Sequence, residues 1–158
     1  MPETTTAPGL KAVIALARQE AERRGDRRVG TDHLLLALLH DSSRPCPQVL
    51  DATPAQGRAA LDELDRAALA AIGVHLGEPV AAPPALVRDH RRLPLNSSVR
   101  AAMVRAKRTA EGERGGRRVQ PRHLLLALLA AGRPDPAAEL LTALGVDPVR
   151  VRDRLDAV

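Results

Sequence analysis

Apolar residues along this chain fall at helical spacing from its first ordered-looking stretch. Leu10, Val13, Ile14, Ala17 and Ala21 share one face, with Lys11, Arg18 and Glu22 opposite. That pattern predicts an amphipathic helix from about Gly9 to Arg24, stopped by Gly25. The next apolar run is of a different kind. His33-Leu34-Leu35-Leu36-Ala37-Leu38-Leu39 neither alternates nor leaves a polar stripe, so it suits a helix buried on most sides. The same seven letters return as His123 to Leu129, 90 positions later, and Arg27-Arg28-Val29 answers Arg117-Arg118-Val119 at that offset. An identity of this length implies a duplicated unit, each copy built round its own central helix.

The rest of the pattern fills in the two copies. Residues 1–8, rich in Thr and Pro, read as a flexible lead-in, and residues 9–78 as the first repeat. Thr31 is the expected N-cap of the first central helix, followed by Asp32 where the macrodipole is positive and by His33 in the first turn. That helix should end near His40 or Asp41. Prolines at 45 and 47 leave room for only a short helical piece at Val49-Leu50. Thr53-Pro54 then opens a further helix through Leu61 and Leu64, which carries Gly57 at some cost. Ala71-Ile72-Gly73-Val74 resembles Ala143-Leu144-Gly145-Val146 at an offset of 72 instead of 90, which predicts an 18-residue insertion in the first copy between about 40 and 64.

Residues 79–94, holding Pro79, Pro83, Pro84 and Pro94 with Arg88, His90, Arg91 and Arg92, read as the linker between repeats, and residues 95–158 as the second repeat. There Asn96 or Ser97 caps a helix from about Ser98 to Glu113. Gln120 caps the second central helix, with Pro121 at its first position. A third helix spans Pro136 to Leu144 and stops at Gly145. Asp147-Pro148 opens the last, with Val149, Val151 and Leu155 expected towards the core. The fold class is therefore all-α: two pseudo-symmetric four-helix repeats packed as one body.

Composition sharpens this picture. The 158 residues contain no Phe, Trp or Tyr, so the core must be aliphatic, and strand formers are scarce. A net charge of +5 and a sequence pI of about 10.8 permit an acidic partner or nucleic acid. Many arginines nevertheless sit beside Asp or Glu, as in Arg18 to Arg24, which fits a solvated helix face. With Cys46 the only cysteine, no internal disulfide is possible and a reducing compartment fits. The run from Val13 to Ala17 is too short for a signal peptide or a membrane span. A cytoplasmic protein is expected.

Catalytic chemistry is poorly represented. There is no phosphate-binding Gly-x-x-x-x-Gly-Lys-Ser/Thr loop. The five histidines, His33, His40, His75, His90 and His123, include no i, i+4 pair to hold a metal. Cys46 lies between two prolines with no evident base, which argues against a thiol hydrolase. His33 and His123 fit structural roles in a first helical turn. No enzyme activity, cofactor or metal is expected.

The stretch Val29-Gly30-Thr31-Asp32-His33-Leu34-Leu35-Leu36-Ala37-Leu38-Leu39, repeated as Val119 to Leu129, resembles the double Clp N-terminal repeat that fronts ClpA- and ClpC-type AAA+ unfoldases. Leu93-Pro94-Leu95-Asn96 stands where that family usually has Ile-Pro-Phe-Thr. The resemblance covers residues 9 to 158. It implies eight helices and a domain that docks adaptors and substrates, here as a free-standing relative without the motor. In Gram-positive ClpC domains the acid before the signature histidine and a threonine at the first helix bind phosphoarginine. By that resemblance Asp32 keeps the acid in copy one, where the threonine position falls at Ala7 beside Thr6. In copy two the acid has become Arg122, while Asn96 takes the threonine position. The family's aromatic positions, which contribute to binding of peptide antibiotics, correspond to Thr6 and Leu95. The ligand-binding set implied by the resemblance is thus Thr6, Thr31, Asp32, Leu95, Asn96 and Arg122.

Two functions follow from these features. One is a non-catalytic module that binds a Clp-type unfoldase, its adaptors or its substrates, acting as an accessory or as a decoy for ligands such as arginine-phosphorylated protein or peptide antibiotics. The other is a small basic nucleic-acid-binding protein, resting on the charge and on Arg88 to Arg92. It is the weaker reading, because no segment resembles a recognition helix.

Overall fold

A computed structural model of the chain describes residues 9–40, 45–75, 77, 93–114 and 118–157. Among these lie eight helices: α1 (Leu10–Arg24), α2 (Thr31–Leu38), α3 (Pro45–Leu50), α4 (Pro54–Ala71), α5 (Ser97–Gly112), α6 (Pro121–Ala131), α7 (Pro136–Ala143) and α8 (Pro148–Asp156). The described residues form no strand, only an isolated parallel bridge between Val29 and Leu95. The fold is all-α, as the periodicity predicts. The expected lead-in at 1–8 and most of the expected linker, 79–92 with its basic cluster, lie outside the described residues.

The Leu runs form the centre. Leu34, Leu35, Leu36, Ala37, Leu38 and Leu39 are all buried, as are Leu124, Leu125, Ala127, Leu128 and Leu129. Leu126 is only partly covered. Helix α2 packs on α6, α1 flanks α2, and α5 flanks α6. The buried positions of the flanking helices keep one register, Val13, Ala17 and Ala21 in α1 matching Ala102, Ala106 and Ala110 in α5 at an offset of 89.

The outer helices exchange places between copies. Helix α3 packs on α8, and α7 packs on α4. Each copy's third helix therefore closes on the other copy's fourth, which ties the repeats into one body whose core runs across both.

That arrangement corrects the expected insertion. Gly73 and Gly145 both have positive φ, 82° and 71°, and each ends a helix. Val74 N–H reaches Leu69 O and Val146 N–H reaches Leu141 O, both at 2.9 Å. This is the same helix-ending motif at two different places, after the fourth helix in copy one and after the third in copy two. Between the starts of the second and fourth helices the first copy is the shorter, 23 positions from Thr31 to Pro54 against 27 from Pro121 to Pro148. Its extra length lies in α4, 18 residues against 9 in α8.

Further local expectations are met or shifted. Thr53 and Gln56 form a reciprocal capping box at α4, with Thr53 N–H to Gln56 Oε1 at 2.9 Å and Gln56 N–H to Thr53 Oγ1 at 3.2 Å. Gly30, not Thr31, is the N-cap of α2. Val149 is 62% exposed, not in the core, because the side of α8 that meets the body is carried by Val151 and Leu155. Gly57 is required by proximity. A Cβ there would lie 2.6 Å from Leu36 Cδ2 and 3.1 Å from Leu39 Cδ1, so α4 crosses α2 at this point.

A buried ionic cluster fastens three elements of the first copy. Glu20 of α1, only 2% exposed, accepts from Arg58 Nε at 3.0 Å and Nη2 at 2.6 Å, and lies 2.7 Å from His40 Nε2. Burial opposes the charge on Glu20. The hydrogen bonds from Arg58 and His40 outweigh it and bring its pKa down to about 2.

Candidate functional site

The residues singled out by the sequence cluster at the starts of the two central helices. In copy one, Gly30 N–H donates to His33 Nδ1 at 2.8 Å, and His33 Nε2 lies 2.8 Å from Asp26 Oδ2. An Nδ1 that accepts must lack a proton, so the proton sits on Nε2 and is donated to Asp26. The Nδ1 bond recurs in copy two, with Gln120 N–H to His123 Nδ1 at 2.9 Å, whereas His123 Nε2 lies 3.1 Å from Glu113 Oε1 without the alignment of a hydrogen bond. Both histidines are buried and serve the helix start itself, doing for the N-cap amide what a glutamate does in a capping box.

Asp32 and Asn96 are brought together from opposite copies. Val29 N–H donates to Pro94 O at 2.9 Å and Asn96 N–H donates to Val29 O at 3.0 Å, laying the lead-in of α5 beside the lead-in of α2. Asn96 Oδ1 caps α5 by accepting from Val99 N–H at 2.9 Å. Its Nδ2 is then turned towards Gly30, 3.5 Å from where a Cβ on that residue would stand. The Asp32 carboxylate folds back over the same spot, so closely that a Gly30 Cβ would collide with Oδ1. Asp32 retains 16% side-chain exposure, and Leu95 beside Asn96 is half-buried. The acid of copy one thus stands beside the cap of copy two, while Thr6 and Ala7, the resemblance's partners for Asp32, lie outside the described residues.

Arg122 belongs to a different arrangement. Its Nη2 lies 2.7 and 2.6 Å from the two oxygens of Glu113, and its Nε donates to Gln120 Oε1 at 3.2 Å. The His123 ring and the Arg122 guanidinium hold the Glu113 carboxyl below its usual range. The arginine that replaces the acid is therefore already neutralised by a neighbouring carboxylate, so it does not present a bare positive charge at the start of α6. Thr31 is also committed. It is 1% exposed, and its hydroxyl donates to Asp135 Oδ1 at 2.6 Å and accepts from Ala137 N–H at 3.2 Å, tying α2 to the start of α7. Thr6 lies outside the described residues.

The field at Asp32 is shaped by residues that the sequence did not point to. Arg24, at the end of α1, bonds Asp26 and Asp62 at 3.3 Å each, and Asp65 at 2.5 Å. Burial opposes the charge on Arg24, but Asp65, Asp26 and Asp32 together raise its pKa. Asp26, Gly30 and Glu113 each act through a contact several residues away or in another element, and no local pattern marks them. Chemically, a half-buried carboxylate beside an amide N–H2 suits a ligand with a cationic donor and an adjoining acceptor. No group of His, Cys, Asp or Glu among the described residues is placed to hold a metal ion.

Residues 2–76 match the Clp repeat (R) N-terminal domain family. That match spans the first of the two copies. The fold of the chain is that of the N-terminal domain of the caseinolytic protease-associated chaperone ClpD from Arabidopsis thaliana, with a TM-score of 0.67 over 93% of this chain and 89% of that one. The two sequences are 16% identical, so the likeness is one of fold. No curated protein matches the sequence. The second copy repeats the helix order of the first, and the 158 residues include no ATPase domain. None of its described helices is long and apolar enough to cross a membrane.

Proposed function

We propose that this chain is a Clp repeat protein throughout and a non-catalytic, cytoplasmic docking module of Clp-dependent proteolysis. It receives a guanidinium-bearing segment at the Asp32–Asn96 site and works as an accessory to, or a decoy for, a Clp-type unfoldase, its adaptors or its substrates. The observation that carries this reading is the placement of the Asp32 carboxylate and the Asn96 amide side by side at the junction of the two copies. A guanidinium pairs with the carboxylate, and an attached phosphoryl or carbonyl oxygen accepts from Asn96 Nδ2. At the corresponding helix start in copy two the acid is replaced by Arg122, which is paired with Glu113, so a cationic ligand meets no free carboxylate there.

Calorimetric titration with an arginine-phosphorylated peptide tests the reading. One-to-one binding is expected, lost in Asp32→Ala and weakened in Asn96→Ala. Two equivalent sites, or binding indifferent to Asp32→Ala, would refute the assignment. A peptide antibiotic that competes with the phosphopeptide would support the decoy role, since both would then share one surface.

A further inference from the structure

Charge is unequally divided between the copies. Residues 1–78 carry 9 Lys and Arg against 11 Asp and Glu, whereas residues 93–158 carry 12 against 7. Four of those twelve cations lie on the outer face of α5. Val99, Ala102, Ala106 and Ala110 turn inward, and Arg100, Val104, Arg105, Lys107 and Arg108 are exposed. At helical spacing Arg100 and Arg108 flank Val104, which is 50% exposed, with Lys107 one turn on.

These cations differ from the other arginines described above. Arg24, Arg58, Arg122 and Arg133 are each engaged by a carboxylate. Among the described residues, the Arg100, Arg105 and Arg108 guanidinium groups have no carboxylate or carbonyl partner, and Lys107 has only Glu111 at 3.9 Å. The equivalent face of α1 carries half as many cations. By the offset of 89 its positions are Lys11, Ala15, Leu16, Arg18 and Gln19, and Arg18 is spent on Leu93 O at 3.4 Å.

We infer that the outer face of α5 is a docking surface for an acidic protein segment that carries an apolar residue between its carboxylates. Charge complementarity gives the partner its sign, because unpaired cations at adjacent turns of one helix attract a row of carboxylates and steer its approach. The exposed Val104 between two arginines gives it an apolar contact, which a sugar-phosphate backbone would not use. Aromatic side chains for stacking on bases are missing from the whole sequence, which disfavours single-stranded nucleic acid as the occupant. The surface begins one turn beyond the Asn96 cap of the same helix, where Arg100 N–H bonds Asn96 O at 3.2 Å, and it does not use the Asp32 carboxylate.

Fluorescence anisotropy of a labelled synthetic peptide, with Glu at i, i+3 and i+7 and Leu at i+4, tests this on the whole chain. Binding should be measurable at low salt and weaken several-fold as ionic strength rises from about 50 to about 200 mM. Arg100→Glu with Arg108→Glu should weaken it on the order of tenfold or more, and Val104→Ser by about threefold, with helical content unchanged. Asp32→Ala should leave it intact. No binding at low salt, or equal binding by the charge-reversed variant, would overturn the proposal. So would tighter binding of a single-stranded oligonucleotide or an anionic lipid vesicle of matched charge, lost in the same variant.

Discussion

Replacing Glu20 with Gln should cost about 3 kcal/mol of stability at neutral pH and close to nothing near the folded-state pKa of Glu20. The figure follows from the depression of that pKa from 4.5 to about 2, at ~1.36 kcal/mol per unit. Because the pKa is lower in the folded state, the stabilisation is fully present above 4.5. It is lost as the pH falls from there towards 2, where the wild-type carboxyl also becomes neutral. Glu20 itself is 3% exposed at its side chain, whereas Arg58 and His40 are 29% and 27% exposed. The partners left behind can therefore regain water, which keeps the cost at the lower end of what breaking a buried ion pair entails, ~3 kcal/mol. The assay is urea unfolding of both proteins across the acid range, read as the difference between them. Taking the difference cancels Glu113 and Glu139, whose carboxyls are also held low and would otherwise add to the acid sensitivity. A difference that stays constant with pH, or stays below ~1 kcal/mol at neutral pH, would refute the claim that ionised Glu20 holds α1 to α4.

Two further stability tests probe the core, beside the Asp32→Ala titration set out above. Gly57→Ala should destabilise by about 1 to 3 kcal/mol despite the better helix propensity of Ala, because the new methyl meets Leu36 and Leu39 where α4 crosses α2. A rise in melting temperature would show that the crossing can relax. Leu36→Ala should cost about 2 to 5 kcal/mol, since Leu36 is fully buried. From repeat symmetry alone Leu126→Ala should cost the same, but Leu126 is only partly covered, so the expected cost is about half or less. Equal losses in denaturant midpoint for the two variants would contradict this asymmetry.

Much of the helix pattern was readable from the chain because its signals are local. Thr53-Pro54 and Asp147-Pro148 open helices through side-chain caps a few residues away, and Gly25, Gly73 and Gly145 end them by adopting positive φ. The Leu runs declared burial on most sides by composition alone, and the repeat of seven residues declared two copies of one unit. Which helix a buried face meets is a different kind of information. Helical periodicity tells each segment to bury a stripe but not against what, so the exchange of third helices between copies appears only when the whole body closes. For the same reason a shared helix ending at Gly73 and Gly145 looked like a shared place in the repeat. The docking site follows suit. Asp32 could be singled out in the sequence, but its neighbour Asn96 lies 64 positions away and arrives through the Val29–Leu95 bridge. Thr31 is withdrawn from the surface by Asp135 and Arg122 is neutralised by Glu113, contacts fixed by packing between elements and carried by no pattern within either one.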